Sequence, residues 1–151
     1  MKGLLYSFIG SLSAGILFNA KKDKLIWIGL SGTVGWLVYY LLYSSRISLV
    51  FATFAGAVAV GIYSEAAAII LKSPATIFSI PGIFPLVPGI AAYTTVQYIA
   101  ENKLANAANE AITTAASAGA IAFGIMVVYA VFRYSSRIRK LRSRFNKLKK
   151  L

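Results

Sequence analysis

Two features of this 151-residue chain have the residue types and spacing for chemistry. The first is a lone acid in an apolar run, Glu65 in YSEAAAIILK. The second is SIPGIFPLVPGIAAY, residues 79 to 93, where Pro81, Pro85 and Pro88 accompany Gly82 and Gly89. Each proline inside a helix removes a hydrogen bond and clashes with the preceding turn, at a cost of about 3 kcal/mol. A helix broken in this way frees backbone N–H and C=O groups that can hold an ion or a substrate. A helix resuming at Ile90 and running through Tyr93, Thr94, Thr95 and Gln97 points its first-turn N–H groups at the break, an arrangement suited to an anion or carboxylate. The residues expected along a substrate pathway are therefore Pro81, Gly82, Pro85, Pro88, Gly89, Tyr93 and Thr94. The alternative is a kinked or re-entrant segment that only packs.

Glu65 lies seven residues before Lys72, about 10 Å into an apolar segment at 1.5 Å per residue. Placing an acid at depth costs roughly 2.5–3.5 kcal/mol on insertion scales. Such a group is expected to carry a proton or meet a cation, which makes Glu65 the candidate for proton coupling or gating. The alternative is a solvated acid near the interface, because the segment has length to spare.

Little else in the chain supports catalysis. There is no cysteine and no histidine, and the only acids are Asp23, Glu65, Glu101 and Glu110. Thiol chemistry, disulfides, most zinc and iron sites and the usual general base are thereby removed. No nucleophile elbow, paired carboxylate or phosphate loop is present, so no catalytic residue, cofactor or metal is expected.

The elements that must position Glu65 and the proline motif are membrane helices. The chain is 58% hydrophobic and 13% charged, with a mean hydropathy of +0.71. A soluble domain of this size could not cover so much apolar surface. Five apolar segments stand out, at about 3–19, 25–43, 47–71, 80–100 and 112–132. A spanning helix needs roughly 20 such residues. The expected fold is thus an all-α integral membrane protein of about five transmembrane helices, the fourth broken at the Pro/Gly motif. Residues 1–133 form the membrane domain and 134–151 a basic tail. The first segment also has the charge and apolar run of a signal peptide, but no good small-x-small site precedes AKKDK.

The net charge of +12 does not point to nucleic acid, because nine of the 16 basic residues crowd into the last 19 positions, after an apolar segment. With five spans, Lys21, Lys22, Lys24, Lys72 and that tail share one side. Lys2, Arg46 and Lys103 share the other. The positive-inside rule then puts the N-terminus outside and the C-terminus in the cytoplasm. In the tail, Ile138, Leu141, Phe145, Leu148 and Leu151 recur every three or four residues, as in a helix lying on an anionic lipid leaflet. A disordered basic stop is the alternative. Tyr39, Tyr40, Tyr43, Tyr129, Phe132 and Tyr134 suit interfacial belts. Gly29, Gly32, Gly35, Gly56, Gly61 and the run Ala118, Gly119 and Ala120 suit close helix packing.

PGIFPLVPGIAAYTT resembles the signature of the threonine/serine exporter family, specifically its small-subunit or C-terminal-half domain. AGILFN followed by LIWIGLSGTVGWLVYYLL is similar to that family's first two spans. YSEAAAIILKSPATIFSIPGIFPLVPG resembles its run of Glu, basic residue, Pro-Ala, Pro-Gly and Pro-Leu-Val-Pro-Gly. The likeness covers about residues 10 to 133, and the matching positions are Asn19, Glu65, Pro81, Gly82, Pro85, Pro88, Gly89 and Tyr93. It implies a secondary exporter of small metabolites: threonine, serine or, in some two-subunit members, dicarboxylates such as succinate. It further implies a larger homologous subunit as partner, in a prokaryotic inner membrane. The alternatives are a non-transporting membrane scaffold and a small homo-oligomeric channel.

Overall fold

The computed structural model describes residues 2–148, with side chains through residue 134. Six helices follow one another: α1 (Lys2–Leu17), α2 (Leu25–Ser44), α3 (Leu49–Ile70), α4 (Thr76–Gly82), α5 (Gly89–Ala100) and α6 (Leu104–Leu148). There is no strand among the described residues. Three helices are long and apolar enough to cross a membrane: α2 with the 3-10 turn before it, α3, and α6 as far as Tyr134. The pair α4–α5 is bent by 51° and together passes as a fourth. α1 is apolar but has only 16 residues, about 24 Å against a hydrocarbon core of about 30 Å. All five apolar segments expected from sequence are helical, but three of them, or four with the bent pair, are long and apolar enough to span, and α1 is not.

The fifth segment is longer than its apolar run. α6 starts at Leu104, because LANAANEA is rich in alanine, the strongest helix former. At the other end its backbone is helical through Leu148. The side chains of Ile138, Leu141, Phe145 and Leu148 are outside those described, and Leu151 lies outside the described residues altogether. The expected apolar stripe and its lipid contact fall there.

Four helices end on a residue of positive φ that is not glycine: Asn19 (56°), Arg46 (62°), Lys72 (47°) and Asn102 (56°). At Asn19 the closure is complete. Its own N–H donates to the Ile16 carbonyl at 2.9 Å, and the Ala20 N–H reaches back to Gly15 at 3.0 Å. Asparagine tolerates this left-handed conformation better than most residues. Asn19 is thus the stop of α1.

Small residues set the packing of the bundle. A Cβ on Gly56 of α3 would meet the Gly35 carbonyl of α2 at 2.9 Å. A Cβ on Gly124 of α6 would meet the Phe54 carbonyl of α3 at 2.9 Å. Gly32 faces Ser11 of α1, and Gly82 of α4 faces Ser31 of α2. Dispersion contacts between closely approaching backbones, rather than hydrophobic exclusion, hold such helices together in lipid. Gly119 does not take part, with nothing within 4 Å of its Cβ position.

α4 is the innermost piece. Phe78, Ser79, Pro81 and Gly82 are all buried, against α1, α2 and α3. α5 is its opposite, with no buried residue and its packing chiefly on α6.

Gly124→Val forces a branched side chain against backbone, which cannot swing away. It should destabilise the purified protein by about 1–3 kcal/mol, read as a lowered melting temperature in detergent. Gly119→Ala, which meets nothing and favours the helix, should not lower that temperature.

Candidate functional site

The Pro/Gly motif folds locally as its residue types dictate. Pro81 sits in the last turn of α4. A 3-10 turn over Phe84–Leu86 follows, with Pro85 in its first positions. Val87 is extended, with ψ of 128°, as the residue before a proline prefers. Pro88 then precedes Gly89 at the start of α5. The N–H groups inside the break bond locally: Leu86 to Ile83 at 2.9 Å, Val87 to Phe84 at 3.3 Å and Gly89 to Val87 at 2.8 Å. The three prolines bring no N–H at all.

Beside α4 lies a cleft of about 430 Å³ lined by Glu65, Ala75, Thr76, Tyr129, Phe132 and Arg133. Three elements build it. α3 contributes the half-buried Glu65, about a turn and a half before its end. The start of α4 contributes Thr76. α6 contributes Tyr129 and Arg133, which four-residue spacing places on one helix face. One turn further along α4, the Ser79 hydroxyl shares a hydrogen bond with the Tyr129 hydroxyl. That bond ties α6 to the short helix leading into the break.

The cleft carries both signs of charge. Glu65 and Arg133 line it together, yet the only ion pair among the described residues is Glu101–Lys103, at 2.8 Å. That pair lies in the α5–α6 connection. The hydrogen bond from Lys103, then one from Gln97, holds the Glu101 carboxyl below its ordinary range. Glu65 and Arg133 make no ion pair among the described residues.

The sequence-identified pathway residues separate into two groups. Pro81 and Gly82 are buried beside Ser31 and Val60, and Pro85 packs near Gly32. None of the three is in the lining of the Glu65 cleft, and Pro81 lines a separate cavity against α4. Pro88 is half-buried, Gly89 is open, and Tyr93 is 71% exposed on α5. The Thr94 hydroxyl donates to the Ile90 carbonyl of its own helix at 2.6 Å. Within this chain Tyr93 and Thr94 do not join Glu65. Sequence reasoning missed Thr76, Ser79, Tyr129 and Arg133 as companions of Glu65. Tyr129 was read as an interfacial belt residue, and its spacing from Arg133 was the one available signal.

The structure is a bundle of apolar helices with a bent helix pair, its first half innermost, and a two-signed cleft beside that half, the architecture of a multi-pass membrane domain. Its sequence places it further: residues 3–131 match the family model described as Threonine/Serine exporter, ThrE. The chain belongs to that family, and is a multi-pass membrane domain of a bacterial exporter family rather than an enzyme. No curated protein and no solved structure matches it.

The Ser79–Tyr129 bond gives a direct test of how α6 holds α4. Tyr129→Phe and Ser79→Ala should each cost about 1 kcal/mol of stability. The double variant should cost less than their sum, as a double-mutant cycle in detergent unfolding would read.

Proposed function

We propose that this chain is the smaller subunit of a two-subunit exporter that takes threonine or serine from the cytoplasm through the Glu65–Arg133 cleft. One observation carries the reading: a carboxylate and a guanidinium line the same cleft, and neither forms an ion pair among the described residues. An amino acid at neutral pH carries an ammonium and a carboxylate. Glu65 accepts from the first, and Arg133 donates to the second with its planar fork. The hydroxyls of Thr76 and Tyr129 lie in the same lining for the side-chain hydroxyl. A dicarboxylate such as succinate offers no cation to Glu65, so the hydroxy amino acids fit better.

From the cleft, α4 leads to Pro81, Gly82 and Pro85, where the span breaks, and then to Pro88, Gly89, Tyr93 and Thr94. α5 leaves Ile90, Tyr93 and Val96 exposed, and a larger homologous subunit covers this face and completes the pathway. Lysine and arginine asymmetry, with Lys21, Lys22, Lys24 and Lys72 at the cleft end, supports a cytoplasmic cleft and, if all five segments cross, an N-terminus outside. The nine basic residues from Arg133 to Lys150 add positive charge to this end, which suits anionic lipid. Efflux draws on the proton gradient or membrane potential, with Glu65 as the gating carboxylate.

The test expresses this chain alone, the larger partner alone, and both, and follows efflux of labelled threonine, serine and succinate from preloaded cells at matched abundance. Threonine and serine efflux only with both chains is expected. Equal efflux from the partner alone would make this chain a scaffold, and non-saturating flux from this chain alone would make it a channel. In the two-chain system Glu65→Gln and Arg133→Gln should each lower threonine efflux at least about tenfold, the scale of losing a charge-assisted hydrogen bond.

A further inference from the structure

On the other face of α4 lies a second cavity, of about 450 Å³, with a different chemical character. Phe18, Ile77, Ile80 and Pro81 give it apolar walls, while Asn19, Lys21, Lys24 and Thr76 supply its polar lining. We infer that this cavity, between the α1–α2 connection and α4, binds an anionic phospholipid, its phosphate at Lys21 and Lys24 and its first acyl carbons along Ile77 and Ile80.

The lysines are arranged to receive an anion. The Lys24 ammonium donates to the Ser73 hydroxyl in the α3–α4 connection, which fixes its position and leaves two of its three donors open. Lys21 lines both this cavity and a neighbouring one of about 720 Å³, whose lining includes Lys22. Lys21, Lys22, Lys24 and Lys72 make no ion pair among the described residues. The nearest acid in sequence, Asp23, lines neither cavity. With no carboxylate in the lining, nothing is there to match the ammonium of an amino acid, and this separates the cavity from the Glu65 cleft.

The apolar half selects a lipid over a free anion. Ile80 is about half exposed, and Leu17 and Phe18 at the end of α1 are exposed as well. In a membrane such side chains face acyl chains. A phosphate seated at the lysines therefore has a continuous apolar path for its tails. Basic pockets between membrane helices hold anionic headgroups in this way. Thr76 lines both this cavity and the cleft, so a lipid held here braces the start of the helix that carries the transport site.

The probes are phosphatidylglycerol, phosphatidylcholine and inorganic phosphate, added to the purified full chain in detergent. Retained lipid is counted by native mass spectrometry, and stability is read as melting temperature. Phosphatidylglycerol should be retained and should raise the melting temperature, while the other two should do neither. Lys21→Gln, which leaves the Lys24–Ser73 contact intact, should weaken retention about fivefold, the effect of about 1 kcal/mol per lysine. Adding Lys24→Gln should weaken it further. Ile77→Trp, which fills the cavity and keeps every charge, should also lower retention. Unchanged retention in all three variants would place the lipid on the basic tail and overturn the assignment. Equal stabilisation by inorganic phosphate, or equal retention of phosphatidylcholine, would overturn it too.

Discussion

A backbone group buried in hydrocarbon has no water to turn to, and every unsatisfied N–H or C=O there costs several kcal/mol. A chain that breaks a span with three prolines must therefore house the break in protein. Much of the bundle follows from that demand. α4 is buried against α1, α2 and α3. Gly82 lets it approach Ser31 of α2, and Gly32 lets α2 approach both Ser11 of α1 and Pro85 of the turn. Inside the break, the N–H groups that remain close short local bonds. The glycines and serines of the first three helices form the shell around an irregular segment.

The same housing explains where polar chemistry can exist. Ser31 and Ser64 lie fully buried with their hydroxyls 3.4 Å apart, next to the end of α4. Ser79 and Tyr129 join α4 to α6. At the wide end of this seam the bundle opens into two cavities, one on each face of α4, that share Thr76. One has charges of both signs and the other only lysines. A short helix flanked by two such openings is placed so that a small shift alters both, as expected of discontinuous helices in transporters.

Much of this was legible in the sequence. The apolar segments, the break between Pro81 and Gly89, and the small-residue seams follow from hydropathy, from the missing proline N–H and from the volume of glycine. Glu65 stood out because an acid within an apolar run is costly. Its companions did not. Arg133 lies 68 positions from Glu65, and only the packing of α6 on α3 brings them to one cleft. Tyr129 looks like any interfacial tyrosine until the position of α4 is known. Asn19, marked by family resemblance alone, proved to hold a left-handed helix stop, a role that depends on φ and not on neighbours. Ala118, Gly119 and Ala120 read alike as packing residues, yet Gly119 faces open space, because small residues on one helix do not say which neighbour they meet.

The central claim is that the cleft beside Thr76 receives the amino acid from the cytoplasm. The chain has no cysteine, so Thr76→Cys is its single thiol, and the complex is assembled with a partner whose own cysteines are replaced. The measurement is the rate of reaction of that thiol with a membrane-impermeant maleimide in inside-out vesicles. Labelling that is rapid from this face, and slowed by threonine or serine but not by succinate, is the predicted result. Labelling only from the opposite face, or a rate indifferent to threonine, would contradict the account.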